Sequence, residues 1–207
     1  MLEIGGMTLL SRLIRTLEPL VPRIHVVVGY REEMVIELCA REHRNIVIVR
    51  NPAYRSTNTA ESMSMGARAC QGKTLFLDGD LLIEPRSLRA FIAEASRHDL
   101  LMGITATRSE QPVCVELAEH GQADGELRLV SGFTRDARLP FEWANVVAGP
   151  PRLMDGVSGY VFERLRERAP LPALPIELRE VDTLADLEMA NEFARAVLHR
   201  ADPNPVG

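Results

Sequence analysis

Two aspartates separated by one glycine, Asp78-Gly79-Asp80, are the residues best placed to do chemistry in this chain. They close the apolar run Leu75-Phe76-Leu77 and precede Leu81-Leu82-Ile83. An apolar run of this length reads as a buried parallel strand. Acids at the carboxyl end of such a strand stand where open α/β sheets bind ligands. Two carboxylates there, with no side-chain bulk between them, suit a hard divalent cation such as Mg²⁺. A cation held this way meets phosphate oxygens. The same residues also read as a strand followed by an Asp-Gly turn.

Three further segments carry candidate side chains. Residues 51–62 run Asn-Pro-Ala-Tyr-Arg-Ser-Thr-Asn-Thr-Ala-Glu-Ser and follow a short apolar strand. They therefore lie on the same sheet edge as Asp78 and Asp80. Asn58 and Thr59 precede a helix whose free N–H groups can receive an anion or a base carbonyl. An Asn side chain both donates and accepts, which suits a nucleobase edge. Equally, Thr57, Asn58 or Thr59 can simply cap the helix, with Ser62 in its first turn. In Glu180-Val181-Asp182-Thr183, Asp182 reads either as a first-turn acid favoured by the helix dipole or as a second metal ligand beside Asp80. Phe141-Glu142-Trp143 holds the one tryptophan. Its ring can stack on a base or a cationic head group, or it can pack in the core.

The elements that must position these residues alternate. Residues 7–18 have helical spacing with Thr8 as N-cap, and Pro19 and Pro22 end the helix. Strands follow at 24–28 and 46–49, with a helix at 31–41 between them. Residues 61–70 read as a helix, 74–77 as a strand, and Pro85 opens a helix to about residue 96. This order predicts parallel pairing with right-handed crossovers. After residue 100 the segments 100–107, 113–117, 126–130 and 142–147 read as mixed or antiparallel strands added to that sheet. Residues 184–198 form a last amphipathic helix capped by Thr183. A single domain over 1–200 is predicted, with a frayed tail at 201–207.

Composition excludes several function classes. The chain has 207 residues, 46% apolar and 26% charged, with a net charge of −5. This is a soluble globular class with no basic stripe for a nucleic-acid backbone. Lys73 is the sole lysine, so any mechanism that needs one must use it. Cys39, Cys70 and Cys114 form no C-x-x-C pair and read as free thiols of a reducing cytoplasm. No metal-spaced His or Cys pair, nucleophile elbow or Walker-type loop is present. No stretch suits a secretory signal or a membrane span.

The order and spacing of these segments resemble the sugar-nucleotidyltransferase-like superfamily, and within it the small phosphocholine-cytidylyltransferase-like members. The matching residues are residues 2–10 (Leu-Glu-Ile-Gly-Gly-Met-Thr-Leu-Leu), Val28-Gly29-Tyr30, Asn51-Pro52 with Tyr54, Asn58-Thr59 with Ser62, Asp78-Gly79-Asp80, Glu142-Trp143, and 180–183 with Asp186-Leu187. The resemblance implies a three-layer, Rossmann-like α/β fold with a mostly parallel central sheet. It implies transfer of a nucleoside monophosphate from a nucleoside triphosphate to a phosphorylated sugar or alcohol, phosphocholine-like acceptors included, with release of pyrophosphate. Asp80 and Asp182 become the catalytic Mg²⁺ ligands. Asn58, Thr59, Ser62 and Asp78 attend the nucleotide, and Glu142 and Trp143 the acceptor.

One departure from the family pattern bears on activity. Members begin with a strand and a Gly-rich, Arg-bearing loop ending in Pro-Lys, whereas Met1 to Gly6 here stand just after that point. The resemblance thus implies an N-terminally truncated fold with an open groove in the sheet, which invites self-association. Three arrangements account for this: a start lying upstream, a strand supplied by a partner chain or a swapped dimer, or a domain that binds without turnover. Two other function classes stay open on the residues alone. One is a nucleotide-sugar glycosyltransferase using Asp78-Gly79-Asp80, and the other a non-catalytic nucleotide- or protein-binding module.

Overall fold

The computed structural model describes residues 2–118 and 126–201. The expected tail beyond residue 201 lies outside the described residues. A two-residue hairpin, β1 (Glu3–Ile4) and β2 (Met7–Thr8), leads into α1 (Leu9–Leu17). Thr8 caps α1 as its position predicts: its Oγ1 accepts from the Ser11 N–H at 3.2 Å. Then come β3 (Ile24–Val28), α2 (Glu32–Glu42), β4 (Ile46–Arg50), α3 (Thr59–Ala67), β5 (Thr74–Leu77), β6 (Leu81–Ile83) and α4 (Pro85–Ala95). The second half holds β7 (Leu101–Ala106), β8 (Cys114–Leu117), β9 (Arg128–Thr134), β10 (Phe141–Gly149), α5 (Val161–Arg166), β11 (Leu171–Pro175), β12 (Leu178–Glu180) and α6 (Leu184–Ala201). No helix among the described residues is long and apolar enough to cross a membrane.

Six strands form the main sheet in the order β5-β10-β7-β11-β9-β8. The expectation of a mostly parallel sheet is corrected here. Within it only β7 and β11 pair in parallel; the other pairings are antiparallel. The reason lies in β10, which inserts between β5 and β7 and runs against both. Its insertion separates β5 and β7, two strands that share a direction and would otherwise be parallel neighbours. Parallel pairing with a crossover helix does occur between β3 and β4, joined through α2.

Side chains alternate across the sheet and build a core on each face. From β10, Trp143 and Val147 enter one cluster with Met63, Phe76, Leu153 and Phe162. Ala144, Val146 and Ala148 enter the other with Leu13, Leu17, Leu88 and Phe91. A smaller third cluster packs α6 through Ala190 and Ala194 against Ile4, Leu82 and Val181. Cys39 and Cys114 are buried free thiols, and Cys70 is half-buried.

Among the described residues β3 pairs only with β4, and β5 only with β10. Their remaining edges line a common groove of about 700 Å³, walled by α1 and α3. Thr59, Met63 and Asp78 line both this groove and a second cavity beside it. Lys73 stands in the wall of the groove, but its ammonium is engaged. It donates to the Ala95 carbonyl at 2.6 Å and to the His98 carbonyl, tying the start of β5 to the end of α4.

The turn after β3 is tight. A methyl group at Gly29 would lie 2.6, 2.7 and 2.9 Å from Cβ, Cγ and Cδ1 of Tyr54. Gly29→Ala therefore forces the loop after β4 to move, and an overpacking cost of about 1–3 kcal/mol is expected in urea unfolding. An unchanged unfolding midpoint would show that Tyr54 yields freely and that this contact does not hold the loop.

Candidate active site

Three carboxylates converge at the junction of β5, β6 and β12. One oxygen each from Asp78, Asp80 and Glu180 lies within 4.8 Å of the others. The backbone explains the meeting. β12 pairs antiparallel with β6, placing Glu180 opposite Leu81, and the Val181 N–H then donates to the Asp80 carbonyl at 3.2 Å. The strand from the far end of the chain thus lands beside the Asp-Gly-Asp turn. Asp80 Oδ1 is buried and has no hydrogen-bond partner among the described residues.

Proximity and burial act on the same groups. Asp78 is pushed up to about 7, first by burial and then by the charges of Asp80 and Asp182. Glu180 is also pushed up to about 7, by burial and then by Asp182, Asp80, Asp78 and Glu142. Burial likewise raises Asp80, with Asp182 adding to it. Like charges held together in a desolvated pocket favour protonation until a cation arrives. Hard oxygen donors in this arrangement suit a small divalent cation.

Asp182, expected as the partner of Asp80, lies outside this three-residue cluster. It lines the same cavity, is exposed, and its charge reaches all three members. Glu180 was not singled out from the sequence. The signal was the spacing: residues two apart in an extended segment share a face, so Glu180 belonged with Asp182. Asn145 was also missed. It adopts a left-handed φ of 54° where β10 loses register with β7, four residues of β10 spanning two of β7. Asn tolerates that conformation, and such bulges re-aim side chains near active sites. Its Nδ2 donates to Glu180 Oε1 at 2.9 Å.

The loop before α3 is built around Asn51, which is 1% exposed. Its Nδ2 donates to Thr57 Oγ1 and Ser62 Oγ, each at 2.9 Å, and its Oδ1 accepts from the Ala53 N–H at 3.0 Å. Asn58 sits at the helix N-cap with its own N–H given to Glu61 Oε2 at 2.9 Å. Thr59 is exposed and lines the cavity that Asp78 also lines; Ser62 lines the groove. Glu142 is 5% exposed, and its Oε1 accepts from the N–H groups of Arg108 at 2.9 Å and Ser109 at 3.2 Å. Trp143, 8% exposed, packs in the core with one edge on the cavity.

The cavity of about 480 Å³ is lined by Asp78, Glu180 and Asp182, by Glu110, Glu142 and Asp186, and by Arg108, Arg135 and Arg179. Burial, and then the neighbouring Arg108 charge, lower the Arg179 guanidinium, with Glu177 opposing.

This geometry meets a known family. Residues 1–136 match the MobA-like NTP transferase domain. The chain belongs to that family. Solved structures with the same fold include HddC from Yersinia pseudotuberculosis, with a TM-score of 0.74 at 13% identity over 94% of this chain and 88% of that one. The inositol-1-phosphate CTP transferase from T. maritima aligns with a TM-score of 0.71 at 13% identity, over 100% and 88%. LicC, the CTP:phosphocholine cytidylyltransferase from Streptococcus pneumoniae, aligns with 0.68 at 14%, over 93% and 87%. No curated protein sequence matches significantly. The family match covers residues 1–136, and the α/β fold shared with these structures extends over nearly the full length of the chain.

The raised carboxylates predict a pH dependence. A carboxylate with a raised folded pKa keeps its proton longer folded than unfolded, so its contribution to stability is present at low pH. That contribution is lost as pH rises from about 4, the unfolded value, through the folded value. For Asp78 the folded value is about 7. Asp78→Asn is neutral throughout. In a chelator, its stability relative to the native chain should therefore climb between about pH 4 and pH 8. Thermal unfolding across that range checks this, and a flat difference would mean that Asp78 is solvated in solution.

Proposed function

We propose that this chain binds a nucleoside triphosphate with Mg²⁺ and transfers its nucleoside monophosphate to a phosphorylated alcohol or sugar, releasing pyrophosphate. The observation that carries the reading is the carboxylate cluster of Asp78, Asp80 and Glu180, of which Asp78 and Glu180 line a cavity of substrate size. The buried, unpartnered Oδ1 of Asp80 supports a cation there, because an orphaned buried acceptor needs a partner. Asp78, Asp80 and Glu180 would hold Mg²⁺, with Asp182 adding negative charge from the cavity wall. When bound, the cation neutralises triphosphate oxygens and the charge that develops on the leaving pyrophosphate.

The rest of the work is positioning. Family membership implies that the acceptor phosphate attacks the α-phosphate, and a phosphate dianion needs no general base. The chain has to align the two and keep them there. Asn145 fixes the Glu180 carboxylate by its 2.9 Å bond, so the cluster is oriented by the bulge in β10. In this reading Asn58, Thr59 and Ser62 attend the nucleoside end, Thr59 from the cavity and Ser62 from the groove. Asn51 holds that loop against β3 through its N–H, given to the Val28 carbonyl at 2.8 Å.

A second reading, nucleotide binding without turnover, has one observation in its favour. The ammonium of Lys73 is committed to backbone carbonyls at the end of α4 and takes no part in the carboxylate cavity. One experiment separates the readings. Binding of each nucleoside triphosphate is measured by calorimetry with and without Mg²⁺, and pyrophosphate release is followed with sugar and alcohol phosphates. Asp80→Asn and Glu180→Gln should each weaken Mg²⁺-dependent binding by about tenfold or more, the loss that even second-shell groups cause at metal sites. Binding that ignores both substitutions would end the metal assignment. Binding without pyrophosphate release would favour the second reading.

A further inference from the structure

The acceptor side of the cavity carries its own chemical selection. Resting on the nucleotidyl-transfer reading, we propose that Arg108, Arg135 and Arg179 form an anion subsite. It selects a phosphorylated acceptor bearing a second anionic group and rejects a quaternary-ammonium acceptor.

Two facts remove the features that a cationic head group would need. Trp143 is packed into the core and meets the cavity by one edge only, and Glu142 Oε1 is engaged by the N–H groups of Arg108 and Ser109. The other aromatic rings lining the cavity, Tyr160 and Phe162, each carry the Arg135 guanidinium on one face. Arg135 lies 5.1 Å from the centre of the Tyr160 ring and 5.0 Å from that of Phe162. Arg179 lies 4.7 Å from the centre of the Phe193 ring. Tyr160 is 50% exposed on the cavity wall, yet an ammonium ligand would meet Arg135 there rather than a bare ring. Cations exclude one another from the same π face.

The same three groups suit an anion. A guanidinium stacked on a ring keeps its in-plane N–H fork available for a carboxylate or phosphate. Arg179 spends one donor on the Leu178 carbonyl at 2.7 Å, which fixes its orientation. Glu142 fixes the backbone of Arg108 from below. Among the described residues none of the three makes a salt bridge to a carboxylate. Arg108 and Arg179 also lie close enough to repel each other. The acceptor's phosphate must reach the α-phosphate at the carboxylate cluster, which leaves the guanidinium groups to a second anionic group on the acceptor. Glu110, which also lines the cavity, offsets part of their charge.

The test uses three small probes of graded charge with the full chain and Mg²⁺: 3-phosphoglycerate, glycerol 3-phosphate and phosphocholine. Calorimetry should rank them in that order, with 3-phosphoglycerate at least about tenfold tighter than phosphocholine, a difference of about 1.4 kcal/mol. Its affinity should fall as salt rises. Arg108→Gln, Arg179→Gln and the exposed Arg135→Gln should each narrow the gap, with thermal midpoints verifying the fold of every variant. Arg135 lies on the surface, so its substitution keeps the test alive if Arg179→Gln unfolds. Phosphocholine binding as tightly as 3-phosphoglycerate would overturn the proposal, as would an unchanged ranking in the variants. Nucleotide binding with no acceptor bound would also sink the subsite while leaving nucleotidyl transfer standing. Loss of Mg²⁺-dependent nucleotide binding in the native chain would instead remove the reading beneath it.

Discussion

The structure depends on one electrostatic constraint: three carboxylates are held together in a partly desolvated pocket. Asp78, Asp80 and Glu180 converge within 4.8 Å, and burial with mutual repulsion drives two of them up to about 7. Such an arrangement costs stability, and the fold must impose it. It does so with backbone. The β6–β12 ladder fixes Glu180 against Leu81, and β5 delivers Asp78 at its end. The two cores on either face of the sheet supply the rigidity that keeps those strands in place.

β10 is the second device. It separates β5 from β7, contributes buried side chains to both faces, and carries three groups of the site. Glu142 holds the loop of Arg108, Trp143 anchors the strand in the core, and Asn145 reaches Glu180 from a bulge. A regular strand would send Asn145 along the sheet normal with its neighbours; the lost register lets it turn to the carboxylate. Asp78, Asp80 and Glu180 gather where β5, β6 and β12 meet, while Arg135 and Arg179, the latter itself on β12, stack on aromatic rings.

The groove between β3 and β5 gives the domain a second character. Two strands with one unpaired edge each, among the described residues, border it, and it shares Thr59, Met63 and Asp78 with the carboxylate cavity. Whatever alters the spacing of β3 and β5 therefore reaches the site directly. Gly66 allows α3 to pack closely on β3, since a methyl group there would stand 2.7 Å from Val27 Cγ2. The loop before α3 and the groove beside Asp78 are thereby joined through the same helix.

Local features were legible in the sequence because they are local. Thr8 caps the first helix, Thr183 Oγ1 accepts the Asp186 N–H at 3.2 Å, and the apolar runs at 24–28, 46–49 and 74–77 are strands. These outcomes need only capping chemistry and side-chain periodicity. The Asp-Gly-Asp turn after β5 was legible for the same reason. What only the tertiary structure decided were the meetings of distant segments. No local preference sends β10 antiparallel between β5 and β7, because strand order is set by which faces bury together. Spacing groups Glu180 with Asp182, but nothing local brings it to Asp78 and Asp80, or Glu142 Oε1 to the N–H groups of the Arg108 loop. Those outcomes depend on long-range register and on where burial leaves a charge without water, and neither quantity exists until the chain is folded.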